Sequence, residues 1–331
     1  MSKLVDYNSV EKEIFIEIFE SVPFMDNWIA NIVENYIYST IRSYYPSGNI
    51  EKEYRMRFDE KDGECKSWYR NGQLQSQAIY KENEIEGEYK RWFNNGKLSD
   101  LENWKEGILH GEYKTWHPNG DQLHIQTSYI KGNIEGEYKS WYPNGSPRTQ
   151  TNYTKGKLDG EYKTWHPNGQ PDIQTSHIKG KKDGEYKSWY INGSPSVQTN
   201  YVKGNIDGEY KEWYYIEGID STYLYPHFQT QYVGGKRNGQ FIEWHTNGNI
   251  HIECYYSEGK KEGEYKEYTI NGTKLIECFY IEGKIHGKYI KFKYEYFSGS
   301  SEKIDIEEYY HKGNKVPKED LFTKYRELLS Y

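Results

Sequence analysis

Gly136-Glu137-Tyr138-Lys139-Ser140-Trp141-Tyr142-Pro143-Asn144-Gly145, with a polar return to Tyr153-Thr154-Lys155-Gly156, is one unit of a pattern that runs through most of this chain. The opening glycine recurs at Gly63, Gly87, Gly111, Gly136, Gly160, Gly184, Gly208, Gly239, Gly263 and Gly287, in steps of 24 or 25 residues with a single step of 31. A period of this length means stacked supersecondary units. Each unit spells a β-hairpin. Asn-Gly, as at Asn144-Gly145 and Asn168-Gly169, favours positive φ and is a strong hairpin signal. The second turn is expected in segments such as Gly132-Asn133-Ile134-Glu135-Gly136. Two strands and two turns fill the unit and leave no room for a helix.

The expected fold is therefore all-β, an elongated single antiparallel β-meander of tandem hairpin repeats over residues 41–315, with short α-helical segments at both ends. Residues 1–40 read as a helical N-terminal cap, with apolar residues at helical spacing in Val10–Glu20 and Asp26–Tyr38. An F-box-like adaptor segment is the other reading of that stretch. Residues 316–331 read as a C-terminal helix, Pro317 near its start and Leu321, Tyr325 and Leu328 on one stripe. Both ends would cover unpaired sheet edges.

Composition supports a thin aromatic sheet. Hydrophobic residues are 35% of the chain, aromatics 17%, and mean hydropathy is -1.06, yet 36 Tyr, 10 Trp and 31 Gly are too many for a disordered chain. A formal net charge of -7 offers no basic stripe for nucleic acid. No stretch approaches the roughly 18 apolar residues of a membrane span, and no secretory leader is visible. Three cysteines make no disulfide framework and point to a reducing, cytoplasmic setting. Cys254 and Cys278 lie one unit apart. Equivalent strands are about 9.5 Å apart, beyond the roughly 7 Å a disulfide spans.

Three aromatic columns follow from the period: Tyr113, Tyr138, Tyr162, Tyr186 and Tyr210; Trp116, Trp141, Trp165, Trp189 and Trp213; and, on the return strand, Tyr129, Tyr153, Tyr201 and Tyr232, with His177 replacing Tyr once. Alternation puts Tyr138 and Ser140 on one face, and Glu137, Lys139 and Trp141 on the other. Aromatics on both faces leave neither plainly solvent. The Trp column is open to two readings, sheet core or binding face for an extended ligand. Rows of Glu and Lys read as solvated charge, or as a recognition strip. The long step adds seven residues around Asp220–Phe228, and its apolar run Tyr223, Leu224, Tyr225, His227, Phe228 is a candidate contact loop, or a drifted turn.

Nothing in the pattern resembles a catalytic constellation, because nearly every polar residue recurs in each unit. His117, His166 and His245 fill the slot after Trp, where other units have Tyr or Phe, and read as aromatic substitutes rather than metal ligands. His110 and His286, just before a repeat glycine, are expected on turns. No cofactor or metal is expected.

Tyr153-x-x-Gly156-x-x-x-Gly160-Glu161-Tyr162, followed by Trp165 and Asn168-Gly169, resembles the MORN repeat in its variant form, as found in bacterial antitoxin-type proteins and in giant-virus proteins. The resemblance implies a non-catalytic protein-interaction scaffold, antitoxin-like or adaptor, and in some members membrane association. An absent basic patch argues against the membrane alternative.

Overall fold

A computed structural model describes residues 38–215, 226–293 and 303–320. Among them, 28 strands form one antiparallel sheet. Tyr38–Tyr44 is already a strand, so the array opens before residue 41 and takes Tyr38 from the expected helix. At the other end Asn314–Val316 is a strand, and a helical turn follows only at 318–320. The remainder of both expected helices lies outside the described residues.

The unit quoted above is a hairpin as expected. Gly136–Trp141 pairs with Pro147–Thr154, Tyr138 opposite Thr151 and Lys139 opposite Gln150, and the register slips at Trp141. The return strand then pairs with Lys157–Trp165 of the next unit. The turn chemistry differs from the sequence reading. At Asn144-Gly145 only the glycine has positive φ, at 85°. Gly145 N–H donates to Tyr142 O and Tyr142 N–H to Ser146 O, both at 2.9 Å. This is a type I turn closed by a left-handed glycine, with Pro143 at its favoured second position. The asparagine serves through its amide, as Asn144 Oδ1 accepts the Ser146 N–H at 3.0 Å.

The turn with two positive-φ centres is the other one, at Lys131-Gly132 (50° and 78°) and Lys155-Gly156 (52° and 74°). These are the angles of the tight hairpin turn whose twist matches that of strands. It lies just ahead of the segment expected to turn. Gly136, at φ 80°, instead marks a bulge where Glu135 N–H reaches Ser128 O. His286 sits at the same kind of bulge, 4% exposed, rather than on a turn. The extra residue of the unit after Gly111 is in the first turn, which closes from His117 N–H to Gln122 O.

The two faces differ. Tyr138, Ser140 and Thr151 share the inner face, where the small side chains are nearly inaccessible: Ser140 is 4% and Thr151 2% exposed. Among the described residues no second layer covers them. Tyrosines do so instead. Tyr138–Tyr153, Tyr186–Tyr201 and Tyr265–Tyr280 meet edge to face with centroids 5.7–5.9 Å apart. Tyr162 meets His177 in the same way, so that histidine keeps the ring contact. Each such pair contributes about 0.5–1.5 kcal/mol beyond area burial. The outer face carries the charges, so it is the solvent face.

By backbone contacts the chain divides into two units, residues 1–111 with 118–120, and 112–117 with 121–331. In the first, Ala78 and Glu102 occupy the buried slot that Thr151 holds in the second. Glu102 is matched by Arg91 Nη2 at 2.7 Å and Trp104 Nε1 at 2.9 Å. In the second, the slot passes from Thr127, Thr151, Thr175, Thr199 and Thr230 to Cys254 and Cys278, which with Phe241 and Tyr265 form its apolar cluster. Tyr265 stands between the cysteines in register. Both are free thiols.

Gly145→Val should lower stability by about 1–3 kcal/mol, because a β-branched residue is forced into the left-handed region. Urea unfolding followed by Trp fluorescence measures it, with Pro143→Ala as the mild comparison.

Candidate binding surface

The Trp column is placed by a hydrogen bond that crosses from one unit to the next. The residue after each Trp reaches the Trp carbonyl of the following unit: Tyr142 Oη to Trp165 O at 2.8 Å, His166 Nε2 to Trp189 O at 2.9 Å, Tyr190 Oη to Trp213 O at 2.7 Å. His117 and His245 make the same bond to Trp141 O and Tyr268 O. The histidines therefore replace tyrosine in its polar tip as well as its ring. A carbonyl only accepts, so Nε2 carries the proton. Asparagine amides run parallel, Asn144 Nδ2 to Pro167 O and Asn168 Nδ2 to Ile191 O. At the other turn, the acid before the repeat glycine accepts a main-chain N–H of the next turn, Glu135 from Lys155 and Asp183 from Lys203.

Trp116, Trp141, Trp165, Trp189 and Trp213 are all partly buried, neither core nor free surface. They share the outer face with a repeated triplet. In one hairpin Lys139 Nζ lies 2.8 Å from Glu137, and Gln150 Nε2 donates to the same carboxylate at 3.2 Å. Glu185, Lys187 and Gln198 repeat the set. Pairs this exposed contribute about 0–1 kcal/mol each. Beside the triplets stand uncovered aliphatic side chains: Ile130, Ile178, Val202 and Val233, 43–56% exposed.

The inserted segment is shorter on its C-terminal side than the sequence suggested. Pro226–Val233 is the return strand, Pro226 opposite Trp213 as Pro195 is opposite Trp189. His227 and Phe228 thus occupy repeat positions. Phe228 is no loop tip: it stacks on Tyr210 and Phe241 at 5.3 and 5.6 Å and packs on the apolar cluster. His227 lies against Tyr214 at 4.4 Å, its Nδ1 3.6 Å from Glu212. Tyr223, Leu224 and Tyr225 lie outside the described residues. The insertion leaves the ladder in phase, since Tyr214 Oη still reaches Trp244 O at 2.8 Å across 30 residues.

A cavity of about 270 Å³ opens on the inner face among Phe228, Arg237, Phe241, Ile252 and Tyr256. Arg237 spreads over Phe228, Phe241 and Tyr256 at 5.0–5.5 Å and donates to Tyr232 Oη at 3.2 Å. Lys182 and Lys261 hold the same slot, two residues before the repeat glycine, each over two tyrosines. Other units have Ile134, Leu158 or Ile206 there. These cations therefore pack as long aliphatic stems with a charge over rings. Among the described residues no group of three His, Cys, Asp or Glu is placed to hold a metal ion.

Burial holds the Cys254 and Cys278 thiols up at about 11. At pH 8 the thiolate is then only about a thousandth of each, and thiolate is the nucleophile. Iodoacetamide at pH 8 should label Cys65, only partly buried, well before the other two; mass spectrometry of the timed reaction checks it. His166→Phe should cost about 0.5–1.5 kcal/mol, the net worth of one hydrogen bond. His166→Tyr should be close to neutral, as thermal unfolding of the two variants will show.

No curated protein matches the chain. Among solved structures, "Crystal Structure of TcdB2-TccC3" aligns with 11% identity and a TM-score of 0.18 over 82% of this chain and 15% of that chain. "Crystal Structure of TcdB2-TccC3-TEV" aligns with 11% identity and a TM-score of 0.18 over 78% of this chain and 17% of that one. This chain thus spans a small part of either, and at that score neither bears on fold or function. The profile of the MORN repeat variant matches residues 61–82, 85–106, 109–130, 134–155, 158–179 and 237–258. Each match covers one hairpin period of the sheet described above, and the chain belongs to the MORN-repeat family.

Proposed function

We propose that this chain is a non-catalytic scaffold that binds a protein partner, in an adaptor-like or antitoxin-like role, through its outer face. The observation that carries the reading is the row of uncovered aliphatic side chains at Ile130, Ile178, Val202 and Val233. The fold does not use them. The inner face is filled by tyrosines, and the turns are set by Gly, Asn and Pro. Apolar side chains held in a row on a fixed repeat are what a protein interface buries at its centre, with polar groups at the rim. The Glu-Lys-Gln triplets supply such a rim without a net sign. That balance fits a protein better than an anionic membrane, which is recognised by clustered basic residues.

Ile178→Asp, Val202→Asp and Val233→Asp together should leave thermal unfolding nearly unchanged, since exposed positions away from packing shift stability little. Proteins retained by the immobilised wild-type chain should be lost from the triple variant. Equal retention by both, or co-sedimentation of the wild type with anionic vesicles at physiological salt, would overturn the reading.

A further inference from the structure

The outer face changes character within the second unit. In its earlier hairpins the residue opposite the repeat's Glu is small or polar: Asn152 opposite Glu137, Ser176 opposite Glu161, Asn200 opposite Glu185, Gln231 opposite Glu209. In the last three hairpins that position becomes Tyr255, Phe279 and Tyr309. Tyr255 is 53% and Phe279 42% exposed, and Ile281 is exposed beside them. In the lysine file Ile242 and Ile290 flank a retained Lys266, which lies 2.8 Å from Glu264, and the glutamine file becomes Glu253, Glu277 and Glu307. Two lysines are lost from their file and three carboxylates gained in the glutamine file, while the Glu file loses two carboxylates, to Gln240 and Lys288, so that these positions become more negative by two charges. Lysines return at Lys288, beside Glu307 at 3.2 Å, and Lys274, beside Glu277 at 3.1 Å. Glu253 is bonded by a tyrosine hydroxyl, that of Tyr268 at 2.6 Å.

The relief of the surface changes too. At Gly160, Gly184, Gly208 and Gly239 a methyl group would touch the Asn, Ser or Gln just described, at 3.2–4.0 Å. At Gly263 and Gly287 it would meet open space, as it would at Gly136. A depression of about 350 Å³ adjoins Phe279, walled by Glu264, Glu277, Lys288 and Ile290 with Gly287 among its lining. A smaller one, about 80 Å³, adjoins Tyr255. Rings that project beside hollows are the anatomy of an anchor site, where a partner's side chains enter pockets between aromatic contacts. The earlier hairpins share the fold with Asn, Ser or Gln in place of the rings, so the fold does not require the rings.

From this we infer that the outer face of residues 236–292 and 304–311 docks a partner segment that is apolar on one side and carries lysine or arginine beside it. The apolar side covers Tyr255 and Phe279, while Tyr309 already carries the Lys318 ammonium 5.5 Å from its ring centre. The basic residues meet the carboxylates that replace glutamine, Glu253, Glu277 and Glu307, of which Glu253 also faces Lys266 across the strands. This rests on the scaffold reading and names its partner chemistry and its place. The two can fail separately, because the scaffold reading is tested at Ile178, Val202 and Val233.

The probe is a labelled synthetic peptide of about 14 leucines and lysines at helical spacing, close to four turns, with a leucine–glutamate counterpart. Fluorescence anisotropy measures binding to the full chain. The lysine peptide should bind about tenfold or more tightly than the glutamate peptide. Tyr255→Asn with Phe279→Asn puts the array's own polar residue in both places and leaves net charge unchanged. It should weaken binding by about tenfold or more, as loss of aromatic anchors does. Ser176→Ala with Asn200→Ala, in the same file of earlier hairpins, should leave binding unchanged. Ile242→Lys with Ile290→Lys restores the file's usual lysines and should weaken it independently of the rings. Equal binding to wild type and the Asn double variant overturns the inference, as does equal binding of the two peptides. Sedimentation velocity supplies a further test: a wild-type dimer that the Asn double variant reduces to monomer would mean that a second copy covers the rings, and would overturn it as well.

Discussion

The hydrogen bond from one unit's Tyr or His tip to the next unit's Trp carbonyl sets the rest of this structure. A sheet one layer thick lacks an opposing layer whose side chains would fix strand positions. Main-chain pairing alone tolerates slippage, and a slip of one residue would turn every side chain to the wrong face. The Tyr142–Trp165, His166–Trp189 and Tyr190–Trp213 bonds tie each turn to the next at one fixed separation in sequence. Where seven residues are inserted, the bond from Tyr214 to Trp244 is kept across 30 residues. Phase is thus preserved against local variation in length.

Burial follows from the same thinness. Most of the inaccessible side chains are short ones, and long aromatic ones lean over them, a few of which, such as Phe241 and Tyr265, are themselves buried. This accounts for a core of Thr, Ser and Cys roofed by tyrosine rings. It also accounts for cations such as Arg237 and Lys261 in that roof, since an aliphatic stem serves there as well as isoleucine and the charged end reaches water across the rings. Stability in such a stack is a sum over neighbouring hairpins, so that substitutions in one hairpin are felt mainly by the two beside it.

The division of labour between the faces leaves one of them free to vary. Turns are held by glycine, asparagine and proline, and the inner face by tyrosine and threonine. The outer face has only to remain soluble, and most hairpins meet that with Glu, Lys and Gln. Departures from that set, at Val202 or Phe279, are not explained by folding. Function in a repeat fold resides in such departures, because the scaffold is common to the family.

The sequence by itself determined the period, the antiparallel hairpins, the three aromatic columns and the family, because glycine and Asn-Gly recur in phase with tyrosine and tryptophan and each has a local steric or hydrogen-bonding cause. It determined that histidines 117, 166 and 245 stand in for tyrosine. It did not determine which turn is the tight one. Asn144 and Lys155 both precede glycine, and only the folded pairing shows that the Lys155-Gly156 backbone is left-handed at both centres while the Asn144 amide bonds the neighbouring unit. Phe228 looked like part of an inserted loop because apolar residues run on from Tyr223 without a break, and register alone assigns it to the strand beside Phe241. Which aromatic column is covered was likewise a tertiary matter. Alternation separates Tyr138 from Trp141 but does not say which face lies toward water. That was settled by the packing of tyrosines across the two strands of a hairpin, a contact that alternation along one strand does not encode.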